Sequence, residues 1–215
     1  MEKVFWSDPY QHTLHTTITN VSGNEILLKA SIAYSFSGGQ ESDHGTVNDL
    51  NILNSRMDGN LIFYALPEEH GLKPNQSVLM KINWPRRYRL MRLHFAAELI
   101  LELVTQKFHL EKVGAHIAES KARIDFNCDQ NISELFEDIL PPYVDIIDKN
   151  LIIQTGFSDI IHQRRFWKID GFAEVPCGGT HVKSTGEVGL VTLKRARPGK
   201  GVERIEIRLC DDVQK

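Results

Sequence analysis

The feature that most limits how this chain can fold is a change of periodicity at Trp84–Pro85. Before it come short runs of β-branched, aromatic and alternating residues: ILLKASIAYSF (26–36), LNILNS (50–55), LIFYAL (61–66) and SVLMKINW (77–84). The segments SGNE, SGGQESDHG, RMDGN and KPNQS punctuate these runs with turn chemistry. Short strands at this spacing predict a small barrel or sandwich. From Arg86 the pattern is helical. Leu93, Ala96, Ala97, Ile100, Leu103 and Val104 recur at steps of three and four, with Pro85 where a helix can begin. NISELFEDIL (131–140) reads as a second helix capped by Ser133, and PPYVDIIDKNLIIQ (141–154) as a third entered on a proline pair. KARIDFN (121–127), KSTGEVGLVTLKRA (183–196) and VERIEIRL (202–209) read as strands. The expected class is therefore α+β. A small N-terminal β-barrel-like domain over 1–84 precedes an α/β two-layer domain over 85–215.

The net charge of −3 over 215 residues argues against a polyanion-binding surface spread over the whole chain, so any nucleic-acid contact must be a local patch. Cys128, Cys177 and Cys210 form an odd, sparse set without the spacing of a disulfide framework. No signal-like segment and no apolar run of membrane-spanning length is visible, so a cytoplasmic location with no membrane partner is expected.

The turn PCGGTHV (176–182) carries a thiol and an imidazole four positions apart, Cys177 and His181, with Gly178 and Gly179 free to fold tightly between them. The helical stretch LHFAAEL carries His94 and Glu98, also four apart and therefore on one helix face. Either pair alone is weak: a polar edge on an amphipathic helix, or a buried thiol beside a surface histidine, would read the same way. Together they supply four ligand-type side chains for one tetrahedral zinc ion. His12 and His15 are three apart in a strand-like stretch, which splits them across two faces and leaves them as surface residues.

PCGGTHV followed by KSTGEVGLVTLKRARPGKGVERIEI resembles the C-terminal half of the editing domain of alanyl-tRNA synthetase and its free-standing relatives, the AlaX-type trans-editing proteins. RLHFAAELIL is similar to the helix that bears that family's first two metal ligands, and VGAHIAESKARIDFN to the segment after it. VFWSDPYQHTLHTTI and IAYSFSGGQESDHGTV resemble the small β domain of the longer AlaX proteins, so the likeness spans nearly the whole chain. The resemblance implies a metal-dependent hydrolase that deacylates mischarged tRNA(Ala), chiefly Ser-tRNA(Ala) and in some members Gly-tRNA(Ala). It implies zinc held at His94, position 98, Cys177 and His181.

Position 98 departs from the pattern, because the family's usual motif is His-x3-His and this chain has Glu98. A carboxylate would leave the centre neutral where a third imidazole would leave it at +1, and a neutral centre polarises water or a carbonyl less. Three readings stay open. Glu98 replaces the histidine as an oxygen ligand; or it stays off the metal and acts as general base; or the chain keeps the fold and binds tRNA with its catalysis impaired. A Gly turn can point several amides inward, so the backbone N–H groups of Gly178, Gly179 and Thr180 are the candidate donors to the developing oxyanion. Thr180, Gln40 and His116 are expected to shape the pocket. The loop SGGQESDHG is either a plain turn or a loop packed near the editing site, and Asp125 in RIDF is expected to pair with Arg123 or a neighbour. The tRNA surface is assigned to two acid-poor runs. Arg86, Arg87, Arg89 and Arg92 come from KINWPRRYRLMR, with Trp84 and Tyr88 interleaved for stacking; Lys194, Arg195, Arg197 and Lys200 come from KRARPGKGVER.

Overall fold

A computed structural model describes residues 1–212 as a mixed α+β, sheet-rich chain. It comprises two compact units, Met1–Ser37 with Glu41–Tyr88, and Gly38–Gln40 with the chain from Arg89 onward. Among the described residues no helix is long and apolar enough to cross a membrane.

The first unit is built on an antiparallel sheet of seven strands: β1 (Thr13–Ser22), β2 (Glu25–Leu28), β3 (Gly45–Val47), β4 (Leu50–Asn51), β5 (Asn54–Asp58), β6 (Leu61–Ala65) and β7 (Ser77–Ile82). Their order is β4-β3-β7-β1-β2-β6-β5. The long strand β1 pairs with β7 through Thr13–Thr17 and with β2 from Ile18, with a register shift between Ile18 and Asn20, so the sheet curls into a half-barrel. Alternation puts Ile18, Ile26, Leu28, Ile62, Tyr64, Val78 and Met80 on the inner face, where they form one core with Phe5, Ile32 and Leu66. The expected strand 26–36 stops early. After Leu28 only Ala30–Ser31 is extended, and Tyr34 instead donates its N–H to the Asp43 carboxylate at 2.6 Å.

The helix α1 (Trp84–Phe108) begins two residues before the helical pattern in the sequence. Asn83 caps it by accepting the Arg86 N–H at 3.1 Å, and Pro85 sits in the first turn, where its missing N–H costs nothing. It ends at His109, whose φ of +55° turns the chain out of the helix while its N–H still reaches the Thr105 carbonyl at 3.0 Å. Two residues assigned to the RNA surface face inward. Arg87 is fully buried; its guanidinium forks onto Asp43 and also donates to the carbonyls of Ile32 at 2.6 Å and Pro9 at 2.9 Å. Arg86 is buried on Glu41 at 2.8 Å and the Ser42 carbonyl. Periodicity cannot separate a buried arginine from an exposed one, because both mark the polar side of a helix.

The second unit continues through β8 (Glu111–Ile117), β9 (Ala122–Asn127), α2 (Phe136–Asp148), β10 (Gln154–Asp159), β11 (Arg164–Ile169), β12 (Ala173–Pro176), α3 (Thr185–Val188), β13 (Val191–Gly199) and β14 (Val202–Leu209). Two antiparallel sheets result, β8-β9-β14-β13 and β10-β11-β12. From Leu90 to Ala97 every residue of α1 except Arg92 is buried, so the helix is enclosed around its circumference and is not amphipathic there.

Three sequence expectations change. The two helices separated at the proline pair are one, α2, with Pro141 and Pro142 inside it; the residues four positions earlier, Glu137 and Asp138, are exposed, so water is available to their carbonyls. The cap of the preceding 3-10 turn is Asn131, which accepts both the N–H and the hydroxyl of Ser133. The strand expected over 183–196 begins only at Val191, because Thr185 buries its hydroxyl on the Ile146 carbonyl at 2.6 Å and Gly189 breaks the chain at φ +77°.

Candidate metal centre

The centre is assembled from α1 and from the turn that follows β12. The helix projects His94 and Glu98 from one face, one turn apart. The Cys177 N–H extends the β11–β12 ladder by bonding the Arg165 carbonyl at 2.9 Å, and the Gly-Gly turn then brings His181 back beside it. Sγ of Cys177 lies 3.5 Å from Nε2 of His94 and 3.3 Å from Nε2 of His181. Oε1 of Glu98 lies 3.2 Å from His94 Nε2 and 3.4 Å from the thiol. One ligand-type atom from each of His94, Cys177 and His181 lies within 4.8 Å of the other two; Glu98 joins this trio through His94 and Cys177.

Close packing fixes the arrangement. A Cβ on Gly179 would meet His94 Cε1 at 2.0 Å and Gln40 Oε1 at 2.8 Å, so only glycine lets the turn lie against the imidazole; around Gly178 there is open space. The Thr180 carbonyl faces His94 Nδ1 at 3.3 Å, the pairing that leaves Nε2 as the ligand atom. Gln40 clamps Thr180 from both sides, donating to its hydroxyl at 2.9 Å and accepting its N–H at 3.1 Å. The SGGQ loop thus packs against the turn that carries Cys177 and His181. Gly39, at φ +87°, lies against the backbone of β8, where a Cβ would sit 2.7 Å from the Ala115 carbonyl, and its own carbonyl accepts the Ile117 N–H at 2.8 Å. The Thr180 N–H is thus taken up by Gln40 inside the protein.

Two residues absent from the sequence expectations stand beside the cluster. Trp167, fully buried in the middle of β11, donates its indole N–H to Glu98 Oε2 at 3.1 Å and meets Phe95 edge-on. Arg165, buried two residues earlier on the same face, reaches the Gly179 carbonyl at 3.3 Å. Both lie in 155–175, where the sequence shows no ligand-type motif; the burial of β11 alternates along the strand, with Arg165, Trp167 and Ile169 inward, but the hydropathy of RRFWKI does not.

The charges of the metal-free cluster are strongly coupled. Burial opposes a charge on His94, but Cys177 and Glu98 outweigh it and push the imidazole up to about 10. Burial would raise Glu98, yet the hydrogen bond and charge of His94, with His181 and the Trp167 N–H, hold it down at about 2. Burial and the charge on His94 together keep His181 neutral, and its buried Nδ1 has no hydrogen-bond partner.

These residues fit a metal ion. Tetrahedral zinc with bonds near 2.0–2.3 Å sets its ligand atoms about 3.3–3.6 Å apart, close to the separations found here. The site therefore could hold a metal ion, and binding has a proton cost that can be measured. With Cys177 and Glu98 pushing its imidazole up, His94 holds a proton more tightly than a free imidazole and must lose it to ligate. Calorimetric titration with zinc in buffers of different ionisation enthalpy is expected to show at least one proton released per ion, with affinity rising as pH rises above neutrality. Zinc binding with no proton release would contradict this charge state.

The other residues named from the sequence have partners of their own. His116 lies half-buried on β8 opposite Arg123, and Asp125 pairs with Arg123 and with Arg204 at 2.6 Å. Arg89 bonds the Glu119 carbonyl, and Arg92 pairs with Asp211 at 2.7 Å. Arg195 forks onto the buried Glu203 at 2.5 and 2.7 Å, and Arg197 lies 3.6 Å from it. Lys194 and Lys200 are exposed. In the first unit Trp84 stacks on Tyr88 at 5.5 Å, with Tyr10 and His12 beside the indole.

The family model for the threonyl and alanyl tRNA synthetase second additional domain matches residues 165–206, from Arg165 through the Cys-Gly-Gly-Thr-His turn into β14. The chain is 31% identical over 213 residues to the alanyl-tRNA editing protein AlaX-M of Pyrococcus horikoshii, covering 96% of this chain and 97% of that protein. It is 28% identical over 241 residues to AlaX-M of Methanosarcina barkeri, covering 98% and 99%. Against the alanine–tRNA ligase of Methanococcus aeolicus it is 28% identical over 230 residues, 95% of this chain but 25% of the ligase. With end-to-end likeness to the free-standing proteins, this chain belongs to the AlaX family of alanyl-tRNA editing proteins.

Proposed function

We propose that this protein is a zinc-dependent hydrolase that deacylates mischarged tRNA(Ala), with Ser-tRNA(Ala) as the main substrate and Gly-tRNA(Ala) as a second. The observation that carries the reading is the convergence of His94, Cys177 and His181 with Glu98 in contact, in a chain alike from end to end to alanyl-tRNA editing proteins. His94, Cys177, His181 and Glu98 Oε1 would hold the ion. When bound, zinc supplies a Lewis acid to the ester or to water. The protein residues do the rest. Gln40 and Thr180 fix the turn, and through the Thr180 carbonyl they fix the His94 ring. The Gly179 amide donates to the carbonyl oxygen as charge develops there. Water adds to the carbonyl carbon, the bond to the ribose oxygen breaks, and that oxygen leaves with a proton as the tRNA terminal hydroxyl. Incubating the zinc-loaded protein with Ser-tRNA(Ala) and Ala-tRNA(Ala) side by side is expected to consume the seryl ester only. Equal loss of both would refute a proofreading role.

One observation favours a second reading, in which the protein binds tRNA but hydrolyses poorly. Two neutral imidazoles, a thiolate and a carboxylate cancel the charge of a divalent ion and weaken its pull on water. In that case the seryl ester survives while tRNA is still retained.

The exposed Lys194 and Lys200 supply the phosphate contacts, joined by Arg197, which is exposed although 3.6 Å from Glu203; Arg86, Arg87, Arg89, Arg92 and Arg195 are held by closer partners within the protein. The double substitution Lys194→Ala/Lys200→Ala is expected to lower tRNA affinity and flatten its salt dependence by about one to two ions in the log–log slope. Filter binding across a salt series measures this, and an unchanged slope would remove these lysines from the interface.

A further inference from the structure

We infer that Trp167 is the positioning residue that makes Glu98 a one-oxygen ligand, an inference that rests on the metal reading above. The indole N–H can only donate, and Trp167 is fully buried, so the N–H needs an acceptor inside the protein. It has one, Glu98 Oε2 at 3.1 Å. That bond occupies one carboxylate oxygen and leaves Oε1 to face His94 and Cys177 at 3.2 and 3.4 Å. The edge contact with Phe95 at 5.1 Å, on the same helix as Glu98, fixes the indole plane.

The pair is matched in donor and acceptor character. A metal-bound imidazole at position 98 would carry N–H on its other nitrogen, and the Trp167 N–H would then face a donor. The second oxygen of a carboxylate is the acceptor this indole requires. Trp167 thus selects a carboxylate over an imidazole at this corner of the centre. The consequence is a reversal of sign. Removing the indole N–H harms a centre built with Glu98 and helps one built with histidine there.

The test is a double-mutant cycle on Trp167→Phe, Glu98→His and both together, reading zinc affinity by competition with a chromophoric chelator and ligand geometry by the visible spectrum of the cobalt(II)-loaded protein. Trp167→Phe alone is expected to weaken zinc binding about tenfold and to shift the cobalt bands. Added to Glu98→His, the same change is expected to tighten binding. Equal weakening in both backgrounds would mean that Trp167 acts only by packing and would overturn the inference. If the wild-type protein binds no zinc, the metal reading fails on its own, and the indole bond is judged by nitrogen-15 NMR. The Trp167 N–H signal, identified by its loss in Trp167→Phe, must move on Glu98→Ala; a signal that stays in place overturns the pairing.

Discussion

Gly179→Ala is expected to abolish zinc binding at micromolar metal, a loss of more than about 100-fold, while Gly178→Ala one residue away leaves zinc affinity unchanged. The difference is space. A Cβ on Gly179 would overlap the His94 ring at 2.0 Å from Cε1 and 2.6 Å from Nδ1, and press on Gln40 Oε1 at 2.8 Å; a Cβ on Gly178 meets nothing within 4 Å. To make room His94 must swing away, which breaks its pairing with the Thr180 carbonyl and carries Nε2 out of the cluster. The clamp between Gln40 and Thr180 loosens with it. Metal competition assays on both purified variants decide the point. Equal affinities would show that the turn does not lie against His94.

Arg87→Ala is expected to destabilise the first unit by about 3–5 kcal/mol, because it leaves the Asp43 carboxylate buried without its cation. Neither side chain of this pair is exposed to solvent. Asp43 also receives the Tyr34 N–H, and Arg87 also holds the Ile32 and Pro9 carbonyls, so one substitution unties several segments. Against a total stability of about 5–15 kcal/mol, that is a large share. Arg87→Lys is expected to recover little, since an ammonium cannot supply the same fork of donors. Urea unfolding measures the loss directly. A variant of wild-type stability with weakened tRNA binding would instead return Arg87 to the RNA surface.

The sequence made some of this architecture visible and hid the rest for physical reasons. The switch from strands to helix at Trp84 was legible because turn residues give way there to a run from Arg86 to Val113 without glycine or proline; the helical period itself is weak, since the helix is buried all round from Leu90 to Ala97. That His94, Cys177 and His181 come together was legible because their chemistry is rare and their spacings matched. The strand β11 was passed over, and with it Trp167 and Arg165, since attention to ligand types hides an apolar residue that works through its N–H. Arg86 and Arg87 were misread because charge alone does not reveal whether a side chain meets a phosphate or a buried aspartate. The proline pair inside α2 misled because prolines usually begin or end helices; here the residues whose carbonyls they free are exposed. The role of Gly179 needed coordinates, since its value lies in what stands opposite it.

X-ray absorption at the zinc edge, with the metal content of the same sample, tests the central claim most directly. The account predicts one zinc per chain, bound by a single sulfur from Cys177 and three nitrogen or oxygen ligands from His94, His181 and Glu98. A zinc-free protein after zinc loading and desalting, or a zinc without a sulfur neighbour, would contradict it.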